Sequence, residues 1–219
     1  MYDQVIEALR QSYDASADER EKGEQNGWKL RERQAFLELL LQEEKTNLLE
    51  IGAGPGKDSK FFQDSGLQVV ASDLSPQMVQ LCREKGLEAH VMDFKNLDFA
   101  AERFDAVYAL NCLLHVPKKD LPDILATIKR LLKPSGLFYM AIYGGQDSEA
   151  VWEEDNHRPK RFFSFYSDEQ ISKISSSLFD IHDFKIITPD NAGEGLHVQR
   201  LILRKTCIRS NNKPINSFV

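Results

Sequence analysis

Between Asn47 and Lys60 the chain reads N-L-L-E-I-G-A-G-P-G-K-D-S-K, and no other stretch restricts the fold as strongly. Leu48, Leu49 and Ile51 make a short apolar run suited to a buried strand, closed by Gly52, Gly54 and Gly56 at every second position. Lacking side chains, these three residues let the backbone turn tightly and lie against a ligand. Lys57–Asp64 then starts a helix whose unpaired N–H groups point back at the turn, which attracts a carboxylate or a phosphate. A dinucleotide fingerprint, G-x-G-x-x-G, fails because its last glycine position falls on Lys57. The competing reading is a glycine-rich loop with no ligand, but strand, glycines and helix arrive in the order a ligand site needs.

Beyond this stretch strand and helix alternate. Gln68–Ser72 is read as the second strand, Ser75-Pro76 as the start of a helix to about Lys85, Glu88–Met92 as the third strand and Phe104–Leu110 as the fourth. Asp120 and Pro122 cap a helix with Leu121, Ile124, Leu125, Ile128, Leu131 and Leu132 at helical spacing. Lys133-Pro134-Ser135-Gly136 stops it ahead of a fifth strand, Leu137–Tyr143. Such alternation predicts a parallel sheet with helices on both faces. An aromatic, irregular stretch follows at Gly144–Tyr166, then a helix at about Asp168–Ser177. Two strand-like runs, near Ile181–Thr188 and His197–Arg204, are joined by a short link containing Gly193 and Gly195, so they are expected to pair antiparallel.

Ahead of the core, Val5, Ile6, Leu9 and Tyr13 share one helical face. Asp14–Gly27 is charged and reads as a mobile or loosely packed connection. A helix from about Trp28 to Lys45 is expected to turn Phe36, Leu37, Leu40 and Leu41 to the core, and a polar tail from Ser210 is expected to fray.

At 219 residues the chain suits one domain with modest additions, and a formal net charge of −6 argues against a broad nucleic-acid surface. Cys82, Cys112 and Cys207 are far apart and odd in number, which fits neither a disulfide framework nor a zinc pattern. With no membrane-spanning apolar run and no signal-peptide core, a cytoplasmic location is expected.

Glu50 followed by G-x-G-x-G, with Asp73 ending the second strand, resembles the first motifs of class I S-adenosylmethionine-dependent methyltransferases, in particular the small-molecule branch (types 11 and 25). The resemblance implies an α/β, Rossmann-like, doubly wound seven-stranded sheet, mostly parallel with an antiparallel final hairpin, plus N-terminal helices. It implies a helical extension over 1–46 covering the site and a methyltransferase domain over 47–209, with 144–167 as an acceptor-site insertion and 210–219 as a tail. The implied cofactor is S-adenosyl-L-methionine, leaving S-adenosyl-L-homocysteine as product. The expected partner is a small-molecule acceptor, with no nucleic acid or membrane, for a monomer or homodimer.

The resemblance places the cofactor against Glu50, Gly52, Ala53, Gly54, Gly56, Asp73, Leu74, Met78, Asp93, Phe94, Asn111 and Cys112. Asp73 is expected to hold both ribose hydroxyls, its other reading being an N-cap for the Ser75 helix. Asp93 accepts from the adenine amino group or is an ordinary turn carboxylate, with Phe94 over the ring. Glu50 binds the cofactor's amino group indirectly or steadies the loop. In Asn111-Cys112-Leu113-Leu114-His115, which resembles the fourth motif, His115 is the catalytic candidate, a base near neutral pKa or a His packed behind the loop. Tyr13, Tyr143, Trp152 and Phe163 are the substrate candidates. The aromatics of 143–166, with His157, Arg158, Lys160 and Arg161, suit a small, partly apolar acceptor, neutral or anionic, or form a lid.

Because the cofactor carries the reactivity, aligning acceptor and methyl and excluding water are the protein's main tasks, and no catalytic dyad or metal cluster is required. An RNA methyltransferase would show a basic face and Asn/Asp-Pro-Pro-aromatic where this chain has Asn111-Cys112-Leu113-Leu114. A protein methyltransferase, a SAM-binding regulator without turnover and, more distantly, a nicotinamide oxidoreductase are the remaining alternatives.

Overall fold

The computed structural model describes residues 2–190, 193 and 195–206; Cys207 and the tail expected from Ser210 lie outside the described residues. Three helices come first, α1 (Tyr2–Ala15), α2 (Ala17–Lys22) and α3 (Gly27–Gln42). The alternating core runs β1 (Asn47–Ile51), α4 (Lys57–Asp64), β2 (Gln68–Asp73), α5 (Pro76–Glu84), β3 (Glu88–Val91) and β4 (Phe104–Leu110). A 3₁₀ turn (Leu113–His115), α6 (Leu121–Leu131) and β5 (Leu132–Gly144) follow. The chain ends with β6 (Ser148–Val151), β7 (Phe162–Phe165), α7 (Asp168–Ser176), β8 (Asp180–Ile187) and β9 (His197–Arg204).

Seven strands form one sheet in the order β3-β2-β1-β4-β5-β9-β8, parallel except for β9, which runs antiparallel to both of its neighbours. This is the expected Rossmann-like sheet with its antiparallel final pair. Strand order reverses between β1 and β4, so the loops after these two strands open a crevice at their C-terminal ends.

Alternation along the strands feeds two faces. Leu49, Ile51, Val107, Phe138 and Met140 turn to one, covered by Ile124, Leu125 and Ile128 of α6 and Ile171 of α7. Leu48, Val69, Tyr108 and Tyr139 turn to the other, under Phe36, Leu37 and Leu40 of α3 and Phe62 of α4. Tyr108 and Tyr139 are direct partners across β4 and β5 and stack with ring centroids 4.6 Å apart, while Phe36 lies 5.1 Å from Tyr139. Burial pushes both phenols up, so they stay protonated inside the core.

Several expectations are corrected. The charged connection is not loose: Ala17–Lys22 is helical, with Ala17 buried, and Glu21 pairs with Lys85 at 2.8 Å. Its acidic first turn and basic last turn suit the helix dipole, an arrangement that shows no apolar period. Helix α3 stops at Gln42, and Leu41 is 52% exposed because it lies about 40° beyond Leu37 on the helical wheel. Asp120 makes no capping bond and instead pairs with Lys95 at 2.9 Å. The turn at 133–136 becomes a bulge inside β5, where pairing jumps from Phe104–Leu132 to Ala106–Leu137 and Ser135 has φ +59°. The irregular 144–166 stretch contains the antiparallel pair β6–β7. The loop between those strands folds around buried Asp155, which accepts from the backbone N–H groups of His157 and Arg161.

Removing the ring that joins α3 to the stacked tyrosines tests this account of the core. Phe36→Ala is expected to destabilise the protein by about 3–5 kcal/mol, read as a lower urea midpoint with an unchanged denaturant slope.

Candidate functional site

The loop after β1 uses its glycines in two ways. Gly52 and Gly56 have φ +64° and +79°, and a Cβ on either would collide with the protein: 2.4 Å from Cys112 Cβ at Gly52, 2.7 Å from Cys82 Sγ at Gly56. Gly54, at φ +55°, would meet nothing within 4 Å, so this middle glycine faces open space. Its N–H donates to Asp73 Oδ2 at 2.8 Å, and Ser75 N–H donates to Oδ1 of the same carboxylate at 2.9 Å. Burial pushes the Asp73 carboxyl up while these N–H bonds pull it back. The N-cap of α5 is Ser75, whose Oγ accepts from Met78 N–H at 3.1 Å. Glu50 is buried, held well above the usual carboxylate range by burial and by nearby Asp58, and accepts from Ser59 Oγ at 2.5 Å.

Two adjoining cavities of about 330 and 120 Å³ open over this loop and share Arg20, Lys29, Gly52, Gly54 and Leu110 as walls. Glu50 and Ala53 line the larger; Tyr13, Asp73, Leu74, Met78, Phe94, Asn111, Cys112 and His115 line the smaller. Gly56 lines neither, and Asp93 is turned to its own loop, accepting from Lys95 N–H, Asn96 N–H and Asn96 Nδ2. Cys112 Sγ donates to the Ile51 carbonyl at 3.3 Å, and burial pushes its thiol far up, so it is a packing group rather than a nucleophile.

Two groups in the smaller cavity's walls lack an ion-pair or hydrogen-bond partner among the described residues, although the Lys29 ammonium lies 5.7 Å from the Trp28 ring centroid. Asn111, at φ +53°, holds its backbone N–H on the Ala141 carbonyl at 2.7 Å, while its buried side-chain Oδ1 has no hydrogen-bond partner among the described residues. Lys29, half-buried with its pKa lowered by burial and by nearby Arg20, has no ion-pair partner among the described residues. Arg20 and Lys29 escape a sequence reading because they are two basic residues in a charged region, with no spacing that marks them.

His115 is 5% exposed and engaged at both ring nitrogens. Nδ1 lies 2.7 Å from the Phe162 carbonyl, and Nε2 lies 2.6 Å from Tyr13 Oη. A carbonyl only accepts, so Nδ1 carries the hydrogen and Nε2 accepts from the Tyr13 hydroxyl. Burial takes His115 down to about 3, so of its two readings the packed, neutral ring is the one its surroundings favour.

A third cavity of about 390 Å³ has among its walls Phe163, 4.7 Å from the His115 ring, and His157, 6.3 Å from the Tyr13 ring. Tyr143, Trp152, Phe163, Phe165 and Leu196 give it apolar walls, and Glu154, Asp155, Asn156, His157 and Arg161 a polar side. Of the basic residues expected there, His157 and Arg161 line the cavity and Arg158 and Lys160 do not. Arg161 Nε and Nη2 donate to Asp155 at 2.8 and 2.9 Å, Lys160 pairs with Glu153 at 2.6 Å, and Arg158 donates to two backbone carbonyls. Among the described residues no cluster of His, Cys, Asp or Glu is placed to hold a metal ion, and no helix is long and apolar enough to cross a membrane.

Residues 48–136 match the methyltransferase-domain family. The ubiquinone biosynthesis O-methyltransferase of Xanthomonas oryzae pv. oryzae (strain PXO99A) is 39% identical over 101 residues, 43% of this chain and 41% of that protein. The malonyl-acyl-carrier-protein O-methyltransferase of Salmonella typhimurium is 30% identical over 105 residues, 47% of this chain and 41% of that protein. The chain therefore spans about two fifths of the length of these curated relatives. In fold it is similar to the Burkholderia thailandensis 1,6-didemethyltoxoflavin-N1-methyltransferase, solved with 1,6-didemethyltoxoflavin and S-adenosylhomocysteine. The TM-score is 0.72 at 22% identity, covering 93% of this chain and 90% of that one.

His115 sets a pH dependence. Its pKa falls from 6.5 unfolded to about 3 folded, so below pH 6.5 the unfolded chain binds a proton that the native state refuses. The stability advantage of wild type over His115→Asn is therefore expected to shrink by about 1.4 kcal/mol per pH unit between pH 6.5 and 4.5, read from urea melts.

Proposed function

We propose, from the match of residues 48–136 to the methyltransferase-domain family, that this protein transfers a methyl group from S-adenosyl-L-methionine to a small-molecule acceptor. One observation carries the reading: among the described residues Lys29 has no ion pair and the buried Asn111 Oδ1 no hydrogen bond, and both residues belong to the walls of the same glycine-walled cavity. Together they complement an amino-acid zwitterion, Lys29 pairing with the carboxylate and Asn111 Oδ1 accepting from the ammonium. Arg20 adds a second positive charge to the same wall.

The rest of the cavity fits the nucleoside. Asp73 has carboxylate lone pairs left beyond its two N–H bonds for sugar hydroxyls, and Leu74, Met78 and Phe94 give an apolar slot for a base. Gly54 presents bare backbone to the ligand, while Gly52 and Gly56 hold the loop's close packing. Asp93 belongs to this reading only through the position of its turn beside Phe94. When bound, the cofactor supplies an electrophilic methyl group on a sulfonium centre. The chain's part is to hold it, exclude water and seat the acceptor, so a neutral His115 is no obstacle to activity.

Helices α1–α3 act as an extension over the site within residues 1–46, contributing Leu9, Tyr13, Arg20 and Lys29 to its walls. Residues 47–209 form the domain that carries out transfer, and 144–167 the insertion that supplies most of the acceptor-side cavity. A small acceptor is favoured over nucleic acid by the net charge of −6 and by the cavity's size.

Calorimetric titration of the whole chain with S-adenosylhomocysteine tests the reading. Saturable binding is expected, weakened about tenfold to a hundredfold in Lys29→Met and in Asp73→Asn, the scale of one lost charge-assisted hydrogen bond. A folded chain that does not bind this molecule would end the methyltransferase assignment.

A further inference from the structure

The acceptor-side cavity is defined by its charges. Arg161 is spent on Asp155, yet its guanidinium still lies 5.2 Å from the Phe163 ring centroid, against the apolar wall. A cationic guest would meet that guanidinium. An anionic guest would meet Asp155 and Glu154, which is exposed at the rim with no ion-pair partner among the described residues. His157 supplies no opposing charge at neutral pH, since burial and Arg161 lower its pKa. An uncharged guest leaves the Arg161–Asp155 pair undisturbed, whereas a charged guest of either sign meets a like charge in it.

The rings set its shape. Phe163 and Phe165 stack at 26°, and Trp152 stands nearly perpendicular to both, at 77° and 87°. This corner offers one ring system to stack against and another to meet edge-on, the two arrangements aromatic pairs prefer. A cavity of about 390 Å³ is larger than a small aliphatic group needs and suits a fused ring pair.

Tyr13 lines the cofactor cavity and touches two walls of this one, Arg161 and His157, and its hydrogen is already committed. Because His115 Nδ1 gives its hydrogen to the Phe162 carbonyl, Nε2 takes the one on Tyr13 Oη. Arg161 Nη1 approaches one lone pair of that oxygen at 3.3 Å. Oη is left as a hydrogen-bond acceptor only, with one lone pair to offer. The ring of Tyr13 also meets His157, which lines the acceptor side, with centroids 6.3 Å apart.

Resting on the methyltransferase reading, we propose that this cavity takes a flat, uncharged aromatic ring system bearing an O–H or N–H, and that Tyr13 Oη receives that hydrogen. Tyr13 is then a positioning residue that directs the nucleophilic atom toward the cofactor cavity. A ring whose donor hydrogen has been replaced by methyl loses this bond, so the site distinguishes the unmethylated ring from the methylated one.

The test is calorimetry on the whole chain with four probes that share one ring system: 2-naphthol, 2-methoxynaphthalene, 2-naphthoate and 2-naphthylmethylammonium. Each is titrated with and without saturating S-adenosylhomocysteine. Wild type is expected to bind 2-naphthol about tenfold more tightly than 2-methoxynaphthalene, the scale of one neutral hydrogen bond, and more tightly than either charged probe. In Tyr13→Phe the preference for 2-naphthol over 2-methoxynaphthalene should fall to within about twofold. Trp152→Leu should weaken 2-naphthol about tenfold while leaving S-adenosylhomocysteine affinity as in wild type. Tightest binding of the carboxylate or the ammonium, equal binding of 2-naphthol and its methyl ether, or no binding of any probe to a chain that binds S-adenosylhomocysteine would each overturn the proposal. Failure of S-adenosylhomocysteine alone to bind would overturn the methyltransferase reading, and the titrations without it still report the ring preference separately.

Discussion

Where the loop after β1 crosses the segment after β4, there is no room for a side chain. A Cβ on Gly52 would sit 2.4 Å from that of Cys112, and the Cys112 thiol donates back to Ile51, the last residue of β1. This contact draws Gly54 and Asn111 to the walls of one cavity, although 57 positions separate them in the chain. Both residues adopt positive φ, which only a well-determined surrounding structure holds in place for an asparagine. The Asp73 carboxylate adds the third side by accepting from Gly54 N–H and Ser75 N–H at once. Strand order supplies the crevice, but the missing Cβ lets the two loops close it into a site.

A second set of contacts ties the added elements to that core. Asp155 gathers the loop between β6 and β7, holds Arg161, and through it reaches Tyr13 on α1; Tyr13 in turn meets His115 after β4, whose other nitrogen returns to Phe162 on β7. Every polar group in this circuit has a partner, which is the condition for burying so many of them without large cost. The Asp155 carboxyl is held far below the usual range by Arg161 and two backbone N–H groups, against the opposing effect of burial. The N-terminal helix, the segment after β4 and the hairpin are therefore tied into one hydrogen-bonded circuit, which touches walls of both cavities.

Local patterns carried much of this into the sequence. Leu48, Leu49 and Ile51 marked β1, the apolar period of residues 121–131 marked α6, and the bounds of β4 and β9 coincide with the runs read from sequence. The glycine motif, Asp73 and Asn111 were legible because they sit at strand ends, where spacing follows from the alternation itself. Helix α2 was hidden because six mostly charged residues have no apolar period, their order coming from Glu21–Lys85 and from buried Ala17. Strands β6 and β7 were hidden for a related reason: all four residues of β6 are exposed, so no alternation survives. Lys29 and Arg20 became visible only once α2 and α3 were folded over the glycine loop.

Charge pairing is the property that composition conceals most completely. Read along the chain, His157, Arg158, Lys160 and Arg161 make a basic run beside an aromatic one, which suggests a place for an anion. In the fold Arg161 is answered by Asp155, Lys160 by Glu153 and Arg158 by backbone carbonyls, and burial and Arg161 lower the His157 pKa, leaving Glu154 as the exposed charge among the residues that line the cavity. On the cofactor side the order is reversed: Lys29 stands in a stretch rich in carboxylates, yet is left without an ion pair. Two neighbouring cavities thus differ in electrostatic sense although the sequence supplies both with acids and bases. The deciding quantity is which charges the fold leaves unanswered, since a paired charge offers a ligand little and an unpaired, half-buried one offers it much.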